Sequence, residues 1–414
     1  MTPTASAPPP SLNEIVREWG RIGCIGFGGP PAHIALFREL CVGRRGWLSD
    51  VQFERALGAV NLLPGPASTQ LAIYCAWRLR GPRGALLGGA SFILPGLVLI
   101  LALSTLFLAG SPPRWVRGAG MGAGAAVAAV ALWAGLGVAG PIFARARGRA
   151  RARVALYGLV GGTAAATLGP GVVLALLGCG AIELVWRGDI RGGRRGGPPG
   201  AHDGPRGGLG AHAWLVGVAR SCGAHLASLA STVADPGGTG AVAWTAFKVG
   251  ALAFGGGFVI VPLMQADAVH TYHWMTNAQF SSAVALGQVT PGPVTQTVAA
   301  VGYSAGGLAA GLFAALVAFA PSFSFILIGA ARFERLLVDE RVLAFLAGAA
   351  PAAAGAIVGS AIPLAGAIVE WWQYPVLAAA AVALLAFRVG VVPTLLAAGV
   401  AGLAAGLLGA PLPG

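Results

Sequence analysis

Charged residues are scarce in this sequence: they are 10% of its 414 residues, whereas hydrophobic residues are 56%. A soluble domain carries about 25% charged residues, so the composition excludes the ordinary soluble classes. Many apolar runs are longer than the roughly 20 residues that a membrane-spanning helix needs. They are rich in Ala, Leu, Gly and Val and lack the alternating pattern of barrel strands. The sequence therefore predicts an all-α polytopic membrane protein.

Lysine and cysteine are also scarce. Lys248 is the single lysine, so arginine supplies almost all of the excess behind the net charge of +13. Most of these arginines lie in short loops, as the positive-inside rule predicts for a membrane protein, so the basic charge does not indicate a nucleic-acid partner. The cysteines at positions 24, 41, 75, 179 and 222 have the spacing of neither a metal site nor a disulfide framework. No metal and no cofactor is predicted.

An internal repeat is the main feature of the chain. Residues 27–72 align without a gap with residues 254–299, at a constant offset of 227. The matches include Trp47 with Trp274 and the whole Pro-Gly-Pro of residues 64–66 with that of residues 291–293. An Ala/Gly-rich chain gives chance matches, but not matched Trp and Pro-Gly-Pro at one offset. We conclude that the two halves are homologous.

The repeat sets the predicted domain boundaries. We expect a disordered N-terminus over residues 1–10. This stretch does not fit a cleaved signal peptide, because Pro8-Pro9-Pro10 interrupts any early apolar run and Arg17 is the first basic residue. The first repeat then covers residues 11–186 and the second residues 241–414. Residues 187–240 read as a flexible, basic, Gly/Pro-rich linker with an amphipathic interfacial segment.

Each Pro-Gly-Pro is predicted to be the tip of a re-entrant helical hairpin. Pro64 has no N–H and must end the helix that runs into it, whereas Pro66 suits the first turn of a new helix. Ser49 with Gln52 forms a capping box that starts the first of these helices. Thr276 and Gln279 repeat that box in the second half.

The arginine bias reverses between the halves. Gly43–Gly46 holds two arginines and its repeat mate His270–His273 holds none; Arg145–Arg153 holds five and its mate Glu370–Gln373 holds none. This reversal predicts an inverted-topology repeat, with three crossings and one re-entrant hairpin in each half. Inverted repeats with broken helices are the organisation of secondary transporters, in which helix N-termini point at anionic groups near the membrane midplane.

The helix breaks are therefore predicted to surround one polar cavity that holds an anion. Glycines there would let the ligand approach backbone N–H groups, and neutral side chains would donate hydrogen bonds to it. A single Pro-Gly-Pro is more often a simple kink, but its duplication beside Ser, Thr and Gln favours a site. The candidate binding residues are Gly28, Gly29, Pro30, Asn61, Pro64, Gly65, Pro66, Ser68, Thr69, Gln70, Gly255, Gly256, Gly257, Gln288, Thr290, Pro291, Gly292, Pro293, Thr295 and Gln296.

Five further residues are candidates for charge balance or ion coupling. Arg21 and Lys248 are repeat mates inside apolar runs, where a cation is either functional or extends to the interface. His33 is either a packing residue or a ligand contact. Glu54 either pairs with the adjacent Arg55 or carries a coupling proton, and Asp267 leaves the same alternatives open.

Three stretches resemble signatures of the chromate ion transporter (CHR) family: Phe27-Gly-Gly-Pro-Pro-Ala-His-Ile34, Leu63-Pro-Gly-Pro-Ala-Ser-Thr-Gln-Leu-Ala72 and Gly287-Gln-Val-Thr-Pro-Gly-Pro-Val294. The resemblance covers most of the chain, including its duplication. It implies efflux of chromate across the bacterial inner membrane, chromate resistance, and sulfate as a structural mimic. The second half lacks the Pro-Pro and His that follow Phe27-Gly-Gly, so the two half-sites are expected to differ.

Two other functions stay open at this point. A carrier of sulfate or another oxyanion fits the same residues. A membrane-embedded enzyme acting on a lipid phosphate fits less well, because the sequence offers no Ser–His–acid arrangement and no ligand cluster. The expected partners are a chromate- or sulfate-like anion and membrane lipid; a homodimer is compatible with the sequence, which does not establish it.

Overall fold

The computed structural model describes residues 8–63, 65–167, 172–192, 238–253, 260–329 and 339–412. These residues form fourteen α-helices and no strand. The helices are α1 (Leu12–Ile25), α2 (Pro30–Arg38), α3 (Asp50–Leu62), α4 (Ala67–Phe107), α5 (Arg114–Arg145), α6 (Arg149–Thr167), α7 (Val172–Gly192), α8 (Thr239–Leu252), α9 (Ile260–Gln265), α10 (Asn277–Val289), α11 (Thr297–Gly329), α12 (Glu340–Ala365), α13 (Gln373–Leu385) and α14 (Val391–Leu407).

Four of the described helical segments are long and apolar enough to cross a membrane. They are Ala67–Phe107, Arg114–Arg145, Val294–Gly329 and Glu340–Ala365. The prediction of an all-α polytopic membrane protein is confirmed.

The duplicated sequence folds twice into the same local structure. Helices α1 and α8 begin and end at the same repeat positions, and so do α3 and α10. Helix α2 continues into a first π-helix, Glu39–Arg44, and α9 into a second π-helix, Ala266–Thr271, again at equivalent positions. The predicted capping boxes form in both halves, with the Ser49 and Thr276 side chains accepting the N–H of Gln52 and Gln279 at 3.2 Å.

The helix that follows each Pro-Gly-Pro bends sharply about four turns further on. In α4 the backbone leaves the helical region at Arg80 and at Gly81, where φ is 61°. In α11 the same happens at Gly306 and at Gly307, where φ is 72°. These positive φ values favour glycine.

The two halves interlock through their terminal helices. Helix α12 of the second half packs against α6 and α7 of the first, and α5 of the first half packs against α13 and α14 of the second. The contacts are close: a Cβ built on Gly161 would lie 1.9 Å from the Ala352 carbonyl oxygen, and one on Gly122 would lie 2.2 Å from that of Ala398. Small residues let backbones approach in this way, as is typical of membrane helices.

The last two helices of the first repeat are α6 and α7. Of the predicted disordered N-terminus, residues 8–10 are described, and the Arg80 guanidinium donates to the carbonyls of Pro9 and Pro10. The predicted linker beyond Gly192 and the amphipathic segment up to residue 237 lie outside the described residues.

Candidate functional site

The tip of each hairpin lies against the broken helix of the other repeat. The N–H of Gly292, in the second Pro-Gly-Pro, donates to the carbonyl of Gly26 at the end of α1, at 2.9 Å. In the other direction, a Cβ built on Gly65 would lie 3.3 Å from the Gly250 carbonyl oxygen of α8. The hairpin tip of each half therefore lies beside the end of the first helix, α1 or α8, of the other half.

A cavity of about 340 Å³ opens where these elements meet. Its walls combine the first helix break, the starts and ends of the hairpin helices, and one face each of α5, α12 and α14. The lining residues are Gly28, Gly29, Pro30, Pro31, Ile34, Ala67, Trp133, Ala134, Gly137, Val138, Gln288, Val294, Ile357 and Val391.

Three helical segments begin at this cavity. Gly29 is the N-cap of α2, Pro66 that of α4, and Pro293 that of the 3₁₀ turn Val294–Gln296 that leads into α11. None of the three is capped by a side chain, so the N–H groups that their first turns contain keep their capacity to donate. In α2 these begin at Ala32, because Pro30 and Pro31 have no N–H. Gly28 and Gly29 have φ of 97° and 74°, which lets the chain turn into α2 without a side chain over the N-terminus.

The neutral polar residues form a buried layer behind the lining. Ser68, Thr69, Gln70, Thr295 and Gln296 are each no more than 2% exposed. The Gln296 side chain crosses the second Pro-Gly-Pro, where its Nε2 donates to the Thr290 hydroxyl at 2.9 Å and to the Pro291 carbonyl at 2.8 Å. Its role there is to hold the loop in shape.

Several polar atoms of this layer have no hydrogen-bond partner within the described part of the chain. They are the hydroxyls of Thr69 and Thr295, the Oε1 of Gln296 and the Nε2 of Gln288. An unpaired buried donor costs about 1–3 kcal/mol, so these groups favour occupation of the region by a polar ligand or water. Gln288 is the one among them that also lines the cavity.

Comparison with known proteins assigns the family. The chromate transporter family model matches residues 13–184 and 240–403. The chain belongs to the chromate transporter family. It is 30% identical to a chromate transport protein of Cupriavidus metallidurans over 370 residues, which are 87% of this chain and 84% of that protein. It is 29% identical to a chromate transport protein of Pseudomonas aeruginosa over 89% of this chain and 85% of that one. No solved structure matches.

In this chromate transporter family member, the predicted site residues divide into three groups. Gly28, Gly29, Pro30 and Gln288 line the cavity. The described residues of the two Pro-Gly-Pro loops, and the other Ser, Thr and Gln residues beside them, are not lining residues but neighbour Ala67, Gln288 and Val294 in sequence, which are. Pro64, the side chain of Asn61, and Gly255, Gly256 and Gly257 lie outside the described residues.

His33 supports the first break rather than lining the cavity. Its ring is fully buried, edge-on to Phe92 with ring centroids 5.1 Å apart. Its Nε2 is 2.9 Å from the carbonyl of Gly26. A carbonyl oxygen only accepts hydrogen bonds, so Nε2 carries the hydrogen. The Gly26 oxygen therefore accepts two hydrogen bonds, one from the His33 ring and one from the Gly292 N–H.

The other charged candidates lie in ion pairs or at the surface. Glu54 is in an ion pair, as the first of its two alternatives has it, but its partner is Arg38 and not the adjacent Arg55. Lys248 pairs with Asp267 at 2.5 Å. The Arg21 side chain is exposed on α1, which agrees with extension toward the interface.

The sequence did not reveal two kinds of site residue. Gly96 of α4 lies under the second Pro-Gly-Pro, where a Cβ would be 2.0 Å from the Pro291 carbonyl oxygen. Trp133, Gly137, Ile357 and Val391 complete the cavity wall. Both kinds come from the packing of distant helices, and no local motif marks them.

Proposed function

We propose that this protein is a secondary active transporter of a tetrahedral oxyanion, chromate in particular, and that the cavity is its binding site. The observation that carries the proposal is the convergence of three uncapped helical N-termini on one cavity. Each N-terminus contributes about half a positive charge, so the three together offset most of a dianion's charge. The names of the bacterial relatives, chromate transport proteins, support chromate as the anion.

Backbone donors and neutral side chains suit a ligand that must bind and then leave. A fully buried arginine would hold a dianion tightly, whereas dipoles and amides give moderate attraction and fixed direction. The Gln288 amide is the polar side chain of the lining, and Gly28 and Gly29 leave the α2 N-terminus open to an approaching oxygen. We infer that the anion is held mainly by backbone N–H groups.

Alternating access follows from the repeat. Each Pro-Gly-Pro touches the other repeat's broken helix, at Gly26 and at Gly250, so a rocking of one repeat against the other would exchange these contacts and expose the cavity to either side. We propose that the physiological direction is efflux across the bacterial inner membrane, which gives chromate resistance. An inside-negative potential drives a dianion outward with about 2.3 kcal/mol per charge per 100 mV.

Sulfate is the second candidate substrate. It has the shape and charge of chromate, and no lining residue of the described chain distinguishes the two by hydrogen bonding. An enzyme acting on a lipid phosphate has no comparable support: the described residues hold no group of three His, Cys, Asp or Glu that could bind a metal ion.

The test is uptake of radiolabelled chromate and sulfate into inside-out membrane vesicles. Gln288→Ala removes the lining amide and is expected to lower chromate flux about tenfold, the value of a lost hydrogen bond to a charged group. Asn13→Ala, which removes an exposed amide on α1, is the matched control. Equal flux in the two variants at equal expression would remove Gln288 from the site, and a faster flux of sulfate than of chromate in the unmodified protein would make sulfate the substrate.

A further inference from the structure

The cavity is larger and more apolar than an inorganic oxyanion needs. Its volume of about 340 Å³ lies within the range of about 300–1,000 Å³ that holds drug-sized organic ligands, whereas a tetrahedral oxyanion is only a central atom with its oxygens. Such an anion contacts only part of the lining. The rest of the wall is available to a second chemical group of the same ligand.

The hydrogen-bond donors of the cavity come from the first helix break and the hairpins. Gln288 lines the cavity and is 7% exposed, and its Nε2 has no hydrogen-bond partner within the described part of the chain. The uncapped N-termini of α2 and α4 reach the same lining, at Gly29 and Ala67. A buried donor without a partner and the positive ends of two helices both favour an anionic group there.

The apolar part of the wall comes from three other helices. Trp133 of α5, Ile357 of α12 and Val391 of α14 line the cavity. Ile357 and Val391 are 1% and 8% exposed, so their neighbours hold them in place, whereas Trp133 is 38% exposed and retains accessible indole surface. An aromatic group that packs here gains both from the removal of apolar area from water and from ring–ring contact.

A glycine one turn beyond Trp133 leaves room beside the indole. Gly137 lines the cavity, and a Cβ built on it would meet no atom within 4 Å. Residues four apart lie on the same face of a helix, so the open space at Gly137 adjoins the Trp133 side chain. An apolar group of a ligand can therefore pack against Trp133 without displacement of α5.

We propose that the cavity binds aryl sulfonates, organic anions that carry a tetrahedral oxyanion head on an aromatic ring, in competition with chromate. The inference rests on the proposed function, because the sulfonate takes the place of the transported anion. The sulfonate oxygens accept hydrogen bonds from Gln288 and from the free N–H groups of α2 and α4. The ring packs against Trp133, Ile357 and Val391, so the site recognises organic as well as inorganic oxyanions.

The experiment compares p-toluenesulfonate with methanesulfonate on the purified full-length protein. Each dissociation constant is taken from the rise in apparent Tm with ligand concentration. Both ligands are monoanions with the same head, so the ratio of the two constants reports the contribution of the ring. We expect p-toluenesulfonate to bind at least about tenfold more tightly, because its ring is removed from water. We also expect it to inhibit chromate uptake into inside-out vesicles more strongly than methanesulfonate does.

The controls separate the site from partition into detergent or lipid. p-Toluenesulfonamide has the ring without the charge and is expected not to bind. Gly137→Leu fills the space beside Trp133 and is expected to bring the ratio of the two constants close to unity. Gly140→Leu adds the same side chain to an exposed position of the same helix, where a Cβ also meets nothing within 4 Å, and is expected to keep the ratio. Should Gly137→Leu not fold, Trp133→Ala takes its place with the same expectation.

The outcomes separate the two proposals. Equal dissociation constants for the two sulfonates in the unmodified protein, or an unchanged ratio in Gly137→Leu, overturns the aryl sulfonate site even where chromate is transported. Binding of p-toluenesulfonate that does not slow chromate uptake, or equal binding of the sulfonamide, also overturns it. If the predicted ratio is found but the unmodified protein carries neither chromate nor sulfate, the proposed function alone fails.

Discussion

The backbone N–H of Gly292 donates to the carbonyl of Gly26 at 2.9 Å. This hydrogen bond joins the hairpin tip of one repeat to the broken helix of the other. The Gly26 oxygen also accepts a hydrogen bond from the His33 ring. The first break is therefore held by one residue of its own repeat and by one of the opposite repeat. The cavity beside it is consequently a product of both halves, and a change in either should alter it.

The dependence of the cavity on contacts between the two halves can be tested at Gly96. A Cβ there would lie 2.0 Å from the Pro291 carbonyl oxygen, a backbone atom that cannot simply rotate away. We expect Gly96→Ala to displace the second Pro-Gly-Pro, with a loss of about 1–3 kcal/mol in stability and loss of chromate flux. Gly140→Ala in α5 is the control, since a Cβ there meets nothing within 4 Å. Normal flux and thermal stability in Gly96→Ala would contradict the packing described for this loop.

The prediction that the cavity attracts an anion can be tested at Ala67. This residue is the first of α4 and lines the cavity. Ala67→Asp places a tethered carboxylate at the helix N-terminus, where it is stabilised by about 0.3–1 kcal/mol, and it should compete with the substrate. We expect the variant to fold and to lose transport. Ala67→Asn has nearly the same size without the charge, so it should retain much of the flux. Comparable flux in the two variants would show that the anion does not bind at these N-termini.

His33 is predicted to act through the shape of the break. His33→Phe keeps a ring against Phe92 but loses the hydrogen bond to Gly26, at a cost of about 0.5–1.5 kcal/mol. His33→Gln retains a donor. We therefore expect the apparent Tm in detergent to fall for His33→Phe and to fall less for His33→Gln. The reverse order would mean that ring packing, and not the hydrogen bond, holds the break.

Local sequence signals predicted the elements but not all of their partners. The capping boxes at Ser49 and Thr276, and the helix ends at the two Pro-Gly-Pro loops, depend on nearby residues, so the sequence located them correctly. The π-helices were not predicted, because no hydrophobic period marks a single widened turn. The contact of Gly96 with Pro291 and the cavity wall from α5, α12 and α14 depend on long-range packing. The partner of Glu54 depends on the same kind of packing: Arg38, 16 residues away in sequence, forms the ion pair instead of the adjacent Arg55.

The inverted arrangement of the repeats remains a prediction, and exact repeat mates allow a direct measurement. Arg44 and Thr271 occupy equivalent positions at the ends of the two π-helices, and both are exposed. If the repeats are antiparallel in the membrane, Arg44→Cys should react with a membrane-impermeant maleimide in inside-out vesicles, and Thr271→Cys in intact spheroplasts. The unmodified protein is the background control, because Cys41, Cys75 and Cys179 are buried and Cys24 alone among the described cysteines is exposed. Reaction of both introduced cysteines from the same side would exclude an inverted repeat, and the rocking motion proposed for transport would then lack its symmetry.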